Sequence, residues 1–447
     1  MLGIIAALSA GIAVVVSPIV GVAIAGVLLA GVADSLPLAG IFFGILAVRA
    51  ISDGSSVGNG PAGLGSVASW SGLAFLLMGT GAVLLRRRGI GQAALILVAV
   101  FVSTWYAVEN YSGSVWKEGL RVASIVCAFL LVLNLGRRIN LLDALRMLQA
   151  IACFSATFSI YQFLTGTGMI VDHVKRPAGT LAHPNSAALV YGIALTATLY
   201  MLLKRKQSIL NLLIATLLGA ALILTASIGG LVTAAVMAIA LVVLVTEIPT
   251  WVRALSVFAV LAAGYTFSRT EIGSVRIDEF SSSDLVGAPS NSFEWRVYAW
   301  QRILEVWRAE PYFGQGLGAT TSRMIGVENV PHNEYVRFIT ELGILGAGLV
   351  AVVFAWIARK LWRLRREEGE LGEFANLNLA FLAGLLVNSA GANTFLYSVP
   401  VLMLCLPIAG MFALKAERSA DAPEFSDPVR TPAGSRSFGQ RQEVRTV

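Results

Sequence analysis

The sequence predicts an all-α polytopic membrane protein, and two observations lead to this prediction. Hydrophobic residues make up 56% of the 447 positions and charged residues only 13%, with a mean hydropathy of +0.76, whereas soluble domains carry about a quarter charged residues. Apolar runs recur from residue 2 to residue 414, and short polar clusters separate them. Because backbone polar groups inside a bilayer must be satisfied within the protein, such runs are typical of transmembrane helices.

Fourteen apolar segments predict the spans in chain order. They cover residues 2–16, 18–33, 36–50, 64–85, 90–108, 119–136, 142–165, 185–203, 208–226, 229–246, 251–267, 334–358, 375–392 and 395–414. The first three are short for a hydrocarbon core of about 30 Å, since a helix rises about 1.5 Å per residue. Two of them therefore fit half-helices or a re-entrant pair, and we expect about 12 to 14 transmembrane helices.

Basic residues in the short connections predict the orientation of these helices. With the spans above, every basic cluster falls on one side of the membrane, and that side is normally the cytoplasm. We therefore expect both termini in the cytoplasm and all three histidines on the opposite side. The clusters lie at residues 86–88, 137–138, 204–206, 253 and 359–366. The net charge of +7 follows largely from this asymmetry, so no nucleic-acid partner is predicted.

The chain is expected to form one transmembrane domain over residues 1–415, which includes a large extracytoplasmic loop at 268–333. The remaining residues, 416–447, are rich in Ser, Pro, Arg and Glu. Such a composition cannot bury enough apolar surface to fold. We therefore predict a disordered cytoplasmic tail.

The large loop contains the pattern of an amphipathic helix. Ser292 is a suitable N-cap, and Pro311 ends the helical pattern. The apolar residues between them recur at helical spacing, so this helix is expected to lie in the membrane interface, with Arg296 reaching the headgroup layer. These apolar residues are Phe293, Val297, Trp300, Leu304 and Trp307.

His332 opens the segment that we expect to carry the chemistry. The run Pro331-His332-Asn333-Glu334-Tyr335 ends the longest polar stretch between apolar spans and begins an apolar helix. Histidine is the side chain best suited to accept a proton near neutral pH. From residue type alone, the alternative is a helix-capping or interfacial histidine without a catalytic part.

Arginines form the second candidate group. Guanidinium groups bind phosphate bidentately and stay charged when partly desolvated. On the extracytoplasmic side, the sequence places Arg176, Arg269, Arg276, Arg296, Arg302, Arg308 and Arg323, with Arg337 about one helical turn beyond His332. The large loop carries at least as many carboxylates, so we expect one or two placed arginines rather than a general attraction of anions.

Three further patterns are weaker. A zinc site formed by the three histidines lacks the usual spacing of metal ligands. Paired carboxylates such as Asp278 and Glu279 are candidate ligands of a divalent metal. They are adjacent in sequence, however, so they do not both face one site in a helix or a strand. The glycine run at 314–318 has no strand before it, and it predicts a flexible turn beneath the His332 helix rather than a dinucleotide-binding loop. No metal site is therefore expected.

Taken in order along the chain, these motifs resemble the O-antigen ligase and O-antigen polymerase superfamily. The signature at the head of a late helix is His332-Asn333-x-Tyr335, followed by Glu341-x-Gly343 and Gly346. The supporting pieces are Arg176 with Gly179-Thr180, His183-Pro184-Asn185 before a middle span, Arg296 with Trp300, and Pro311 with Gly314 and Gly316. The resemblance covers about residues 140–400.

The resemblance implies a metal-independent glycosyltransferase without a cofactor, whose donor is a glycan linked to undecaprenyl diphosphate. It assigns His332 as the general base or a residue near the diphosphate, and Arg296 as the arginine that engages the diphosphate. The residues expected to support them are Asn333, Tyr335, Arg337, Glu341, His183 and Asn185.

One departure from the family pattern concerns a short extracytoplasmic turn. Members often carry Ser-Arg-Gly there, whereas this chain has Ser227-Ile228-Gly229. Arg176 and Arg269 are the candidates that supply the missing charge.

The resemblance leaves several activities open. We expect an O-antigen ligase-like transfer to an acceptor hydroxyl of a glycan or lipid-glycan, with inversion at the anomeric carbon. An O-antigen or exopolysaccharide polymerase that extends the lipid-linked glycan is the alternative. A transporter or flippase for a lipid-linked or anionic substrate is more distant, because the charges concentrate at helix ends and in loops rather than within spans. The expected location is the bacterial cytoplasmic membrane, with the site on its extracytoplasmic face.

Overall fold

The computed structural model describes residues 38–54, 67–86, 90–110, 115–135, 140–171, 174–204, 208–245, 249–270, 274, 292–321 and 331–421. Within these ranges the chain forms thirteen helices and one short antiparallel ribbon. The helices are α1 Leu38–Ser52, α2 Val67–Arg86, α3 Ile90–Asn110, α4 Trp116–Leu135, α5 Leu141–Thr165, α6 Pro184–Leu203, α7 Ser208–Leu224, α8 Ile228–Leu244, α9 Thr250–Ser268, α10 Ser292–Trp307, α11 Glu334–Leu364, α12 Glu370–Gly391 and α13 Ser398–Asp421. The ribbon pairs β1 Met169–Val171 with β2 Val174–Arg176. The predicted all-α class is confirmed.

The predicted spans can be compared with these helices one by one. The first two, at 2–16 and 18–33, lie outside the described residues, and each of the other twelve coincides with a helix. Five helices are long and apolar enough to cross a membrane, namely α5, α6, α11, α12 and the Ser398–Arg418 part of α13. Six others contain shorter apolar stretches. The chain is a multi-pass membrane protein.

Two helix ends differ from the sequence-based expectation. Helix α11 continues to Leu364 rather than ending near 358, and α13 continues to Asp421, past the predicted start of the tail at 416. Basic side chains are favourable in the last turn of a helix because they offset its dipole, and Lys360 also places its Nζ 4.4 Å from the ring centroid of Trp356. A prediction from hydropathy alone therefore places the end of α11 too early in the sequence. Residues 422–447 lie outside the described residues.

Helix α6 is the centre of the bundle. Its apolar window is 78% buried, and it packs against α5, α7 and α8. Small residues allow the close approach to α8, since a Cβ on Gly230 would collide with Ala188 of α6, as is common between membrane helices. By contrast, α7 and α9 expose large apolar side chains such as Ile209, Leu213 and Phe258. These outer helices present the surface expected to face lipid.

His183 and His332 lie at one end of the bundle, and Lys204 and Arg365 lie at the other. At one end, the Gly54 amide donates to the Thr180 carbonyl at 2.8 Å, in the loop that leads to His183. At the other end, Lys204 pairs with Glu373 at 2.8 Å, where α6 ends and α12 begins. Since α11 runs from His332 to Arg365, it connects the two ends.

Helix α11 is interrupted at Gly343, whose φ of 66° and ψ of −176° are not helical. The loop after α10 occupies the interruption. The Ile344 amide donates to the Pro311 carbonyl at 2.9 Å, and the Thr340 carbonyl accepts the Gln315 amide at 2.8 Å. These bonds satisfy backbone groups that a broken helix leaves open. The predicted turn beneath the His332 helix is thus present, and its backbone is hydrogen-bonded to α11.

We expect Gly343→Ala to destabilise the protein by about 1–3 kcal/mol, because the residue needs a positive φ and its new Cβ would collide with the Tyr312 carbonyl. Gly348→Ala is the matched control, since Gly348 lies in the same helix and a Cβ added there would meet no other atom within 4 Å. The measurement is the thermal unfolding midpoint of both variants in detergent. Equal midpoints would contradict the interpretation of the break as a constrained junction.

Candidate functional site

The turn before α11 holds His332 in an uncommon backbone conformation. Its φ is 49°, in the left-handed region that L residues rarely adopt. The helix cap is the next residue, Asn333, whose Oδ1 accepts the amides of Tyr335 at 2.9 Å and Val336 at 3.1 Å. His332 is therefore not the cap of α11, and its imidazole is available for another role.

Contacts from two other segments fix this turn. Trp300 of α10 donates its indole N–H to the Pro331 carbonyl. On the other side, Asn393 Nδ2 lies 3.1 Å from His332 Nδ1. The loop helix and the turn between α12 and α13 thus both contact the segment that carries His332.

The environment of His332 keeps its imidazole neutral. Burial is the largest cause, and the neighbouring Arg296 and His183 side chains add to it, so the pKa of His332 is lowered to about 3. A neutral imidazole keeps one nitrogen lone pair as a proton acceptor at physiological pH. The side chain is thus in the protonation state that a base requires.

His183 lies beside His332, with 6.5 Å between the ring centroids. It is the N-cap of α6, and its Nδ1 accepts the Asn185 amide at 3.1 Å. Because a backbone amide can only donate, Nδ1 carries the lone pair and the neutral ring has its proton on Nε2. The ring stacks on Tyr397 at 5.7 Å. His183 is therefore a fixed N–H donor.

Arg176 lies at the end of β2 against the turn between α7 and α8. Its Nε donates to the Thr225 carbonyl at 2.8 Å, and its Nη2 donates to Asn185 Oδ1 at 3.1 Å. Ser227 Oγ donates to the same Asn185 oxygen at 2.9 Å. The guanidinium thus lies at the turn in which Ile228 replaces the arginine expected from the family pattern.

Arg269 is in a different place. Its Nη2 donates to the Tyr265 hydroxyl at 3.0 Å, and its guanidinium lies 5.1 Å from the centroid of the same ring, at the exposed end of α9. Of the two arginines proposed as replacements, the structure brings Arg176 to the turn. It does not place Arg269 there.

Arg296 of α10 belongs to the same neighbourhood as the two histidines. Its charge lowers the pKa of His332 and opposes the burial that raises the pKa of Tyr397. Tyr397 also senses Arg176, and the carboxylates of Asp53 and Glu334 act on it in the opposite direction. The predicted donor-binding arginines 176 and 296 therefore lie around one tyrosine, together with both histidines.

Arg337 and Glu341 belong to a buried ion cluster beside this site. Arg337 is 1% exposed and contacts Glu118 at 2.9 Å, Glu341 at 3.2 Å and Glu334 at 3.4 Å. Two of these carboxylates also accept backbone amides: Glu341 that of Thr320 at 3.1 Å and Glu334 that of Phe395 at 2.8 Å. The cluster joins α4, the loop after α10, α11 and the turn after α12.

Tyr335 makes a separate contact between helices. Its hydroxyl donates to the Leu386 carbonyl of α12 at 2.7 Å, while the ring is exposed. This residue therefore ties the first turn of α11 to α12. Among the residues expected to support the site, Asn333 and Tyr335 hold the first turn of α11, and Arg337 and Glu341 belong to the ion cluster. His183 stacks on Tyr397, and Asn185 accepts from Arg176.

Sequence reasoning missed two residues at the site. Gln162 of α5 holds the loop between Arg176 and His183, since its Oε1 accepts the amides of Ala178 and Gly179 at 3.0 and 2.9 Å. Asn393 contacts His332, as described above. The available signal for Asn393 was a polar residue in a very short connection on the same side as the histidines. Gln162 lies within an apolar span and had no such signal.

The described residues do not form a metal centre. Across that part of the chain, no group of three or more His, Cys, Asp or Glu side chains has an arrangement that could hold a metal ion. His173 and the pair Asp278 and Glu279 lie outside the described residues.

We expect Arg337→Gln to lower the unfolding free energy by about 3–5 kcal/mol, because it leaves buried carboxylates without their counter-charge. Arg302→Gln is the control, since Arg302 pairs with Glu305 on the exposed face of α10, where such pairs contribute about 0–1 kcal/mol. The unfolding midpoints and the yields of folded protein distinguish the two. A similar small loss for both would show that the cluster is not needed for folding.

The multi-pass bundle defines an integral membrane protein that carries a cluster of polar and ionisable side chains at one end of its helices. Residues 212–351 match the family model of the O-antigen ligase domain. This match confirms the resemblance to the O-antigen ligase and polymerase superfamily, and it supports an O-antigen ligase- or polymerase-like membrane enzyme. The matched segment contains Arg296, His332, Arg337 and Glu341, while Arg176 and His183 precede it. No curated protein matches the chain.

Proposed function

We propose that this protein is a metal-independent, inverting glycosyltransferase that moves a glycan from undecaprenyl diphosphate to an acceptor hydroxyl, in the manner of an O-antigen ligase. The observation that carries the proposal is the grouping of a neutral His332 with Arg176, Arg296 and the N–H donor of His183. A neutral base beside fixed cations suits a reaction in which a hydroxyl loses a proton and a diphosphate departs.

The donor diphosphate is assigned to the arginines. Arg176 is anchored through its Nε and Nη2 and is 5% exposed, so it offers a positive charge whose position does not change when the substrate binds. Arg296 comes from α10, next to the membrane-facing loop. Preorganised guanidinium groups stabilise the charge that develops on a leaving diphosphate. The N–H of His183 adds a neutral donor.

His332 is assigned as the general base. The acceptor oxygen forms a bond to the anomeric carbon from the side opposite the diphosphate, the bond from that carbon to the diphosphate oxygen breaks, and the acceptor proton passes to His332. Single displacement inverts the anomeric configuration. One cause that lowers the pKa of His332 is the neighbouring positive charge of Arg296, and a bound diphosphate offsets this charge, so donor binding raises the basicity of the imidazole.

The membrane setting follows the distribution of basic residues. Lys204, Arg365 and Lys415 lie at the end of the bundle away from His332, as the positive-inside rule expects for the cytoplasmic face. We therefore place the site on the extracytoplasmic face of the bacterial inner membrane, with both termini in the cytoplasm. A lipid-linked donor presents its diphosphate at that face.

A polymerase is the second candidate, because the superfamily to which the match at residues 212–351 points includes both activities. Purified protein, incubated with lipid-linked oligosaccharide and a separate acceptor, distinguishes them. Glycan on the acceptor supports the ligase, whereas a ladder that remains on the lipid supports the polymerase. Uptake or flipping of the substrate without any new glycosidic bond would support the transporter alternative.

We expect His332→Ala to reduce transfer by about 10²–10⁴-fold, which is the usual contribution of a general base. The measurement is glycan transfer by purified protein, with the unfolding midpoint checked in parallel. Transfer near the normal level by folded protein would rule out the assignment of His332 as the base.

We expect Arg296→Ala to raise the donor KM more than Arg302→Ala does, since both arginines lie on α10 but only Arg296 acts on the His332 neighbourhood. Arg302 pairs with Glu305 on the exposed face, so it is a matched control for loss of one charge. Equal changes in the two variants would show that the loop attracts the donor only through its bulk charge.

A further inference from the structure

Asn393 is bound to His332 from the turn between α12 and α13. Its amide nitrogen lies 3.1 Å from His332 Nδ1, and the residue is 1% exposed. The amide oxygen is buried and has no hydrogen-bond partner among the described residues. Within the described part of the chain, the Asn393 side chain makes one hydrogen bond, and its partner is His332. A buried amide is costly without partners, so this contact is the polar function that the structure gives to Asn393.

The turn that carries Asn393 is held in place independently of His332. The Phe395 amide donates to Glu334 of the buried ion cluster at 2.8 Å. The carbonyl of Asn393 accepts the amide of Leu396 at 3.2 Å, and Thr394 Oγ1 accepts from Asn388 at 2.8 Å. The amide is therefore presented to His332 by a fixed backbone, as a group that orients another side chain requires.

The contact decides which nitrogen of His332 carries the proton. The oxygen and nitrogen of an amide are nearly equal in size, so these heavy-atom positions fit two arrangements. If the amide N–H donates to Nδ1, the proton of the neutral ring is on Nε2. If the amide is turned over, Nδ1–H donates to Oδ1 and Nε2 keeps its lone pair.

The proposed chemistry favours the second arrangement. A general base needs a free lone pair, and with Asn393 bound to Nδ1 the second arrangement leaves one on Nε2, whereas the first leaves none. Glu334, two residues along the chain, is engaged by Arg337 and Phe395. Asp53, the other carboxylate that acts on Tyr397, pairs with Arg49 at 3.0 Å and accepts the Ala182 amide at 3.1 Å, so both carboxylates are engaged by other groups.

We infer that Asn393 is the positioning residue of His332, whose Oδ1 accepts Nδ1–H and thereby leaves Nε2 as the atom that takes the proton of the acceptor hydroxyl. This inference rests on the proposed function and adds to it the identity of the basic nitrogen and the residue that selects it. Asn393 does not contact the reacting atoms in this scheme. It acts through the orientation and tautomer of the imidazole.

The test compares Asn393→Leu and Asn393→Asp in transfer assays across a range of pH. The leucine variant cannot orient Nδ1–H, so kcat is expected to fall about 100-fold, while the donor KM changes less than about twofold. A carboxylate can only accept, so the aspartate variant keeps the tautomer. Its negative charge raises the pKa of His332, and the acid limb of the kcat profile should move up by about one pH unit or more, with activity at alkaline pH retained within about tenfold.

Asn378 provides the matched control. It is also a buried asparagine of α12, and its amide donates to the Pro407 carbonyl at 3.3 Å, away from the histidines. Asn378→Leu and Asn378→Asp should leave the pH profile unchanged. If Asn393→Leu does not fold, the test depends on Asn393→Asp alone. A purely structural role of Asn393 would not shift the acid limb of the kcat profile of that variant.

Three outcomes would overturn the inference: an unchanged kcat in Asn393→Leu, an acid limb in Asn393→Asp that stays in place, or one that moves to lower pH. The proposed function fails separately, since it falls if His332→Ala still transfers glycan, whatever the Asn393 variants do. An inactive His332→Ala together with an active Asn393→Leu would overturn only the present inference.

Discussion

The ion cluster around Arg337 is the interaction on which the arrangement of the site depends. One guanidinium meets carboxylates from α4 and from two turns of α11, and Glu118 has a second partner in Arg121. Removing one partner from such a buried group leaves a charge without compensation, which is strongly destabilising. The helices and loops that supply these groups must therefore assemble together. Glu334 extends the cluster to Phe395, so the turns that carry His332 and Asn393 are joined through the same charges.

Strain is concentrated where the chemistry is proposed. In the ranges that the structure describes, the non-glycine residues with positive φ are Ala226 and His332. Ala226 lies between Thr225, which accepts Arg176, and Ser227, which donates to Asn185. Such conformations cost about 1–3 kcal/mol each and persist when the surroundings determine them. Both strained turns present polar groups to the space around Tyr397.

The helices could be predicted from the sequence because each apolar run is a local signal. Boundaries were less predictable, since residues 359–364 continue α11 although they are largely basic. The family motifs identified His332, Arg176, Arg296 and His183, and the structure brings these residues together. What they do remains a proposal.

The contacts that hold these side chains were not predictable, because they join residues far apart in sequence. Asn393 is 61 positions from His332, and Arg176 is 49 positions from the Thr225 carbonyl. No periodicity or spacing in one chain encodes such a pair. Arg176 and Arg269 were both candidates for the turn that contains Ile228, and only the geometry shows that Arg176 lies there.

The direction of the helices at this end of the bundle has a consequence for anion binding. The N-termini of α6, α8 and α11 all lie here, at residues capped by His183, Ser227 and Asn333. Each helix dipole places about half a positive charge at its N-terminus, while Arg176 covers a carbonyl at the C-terminal end of α7. The backbone itself therefore makes this end of the bundle favourable for an anion, and it contributes positive potential beside Ile228, where the family pattern has an arginine.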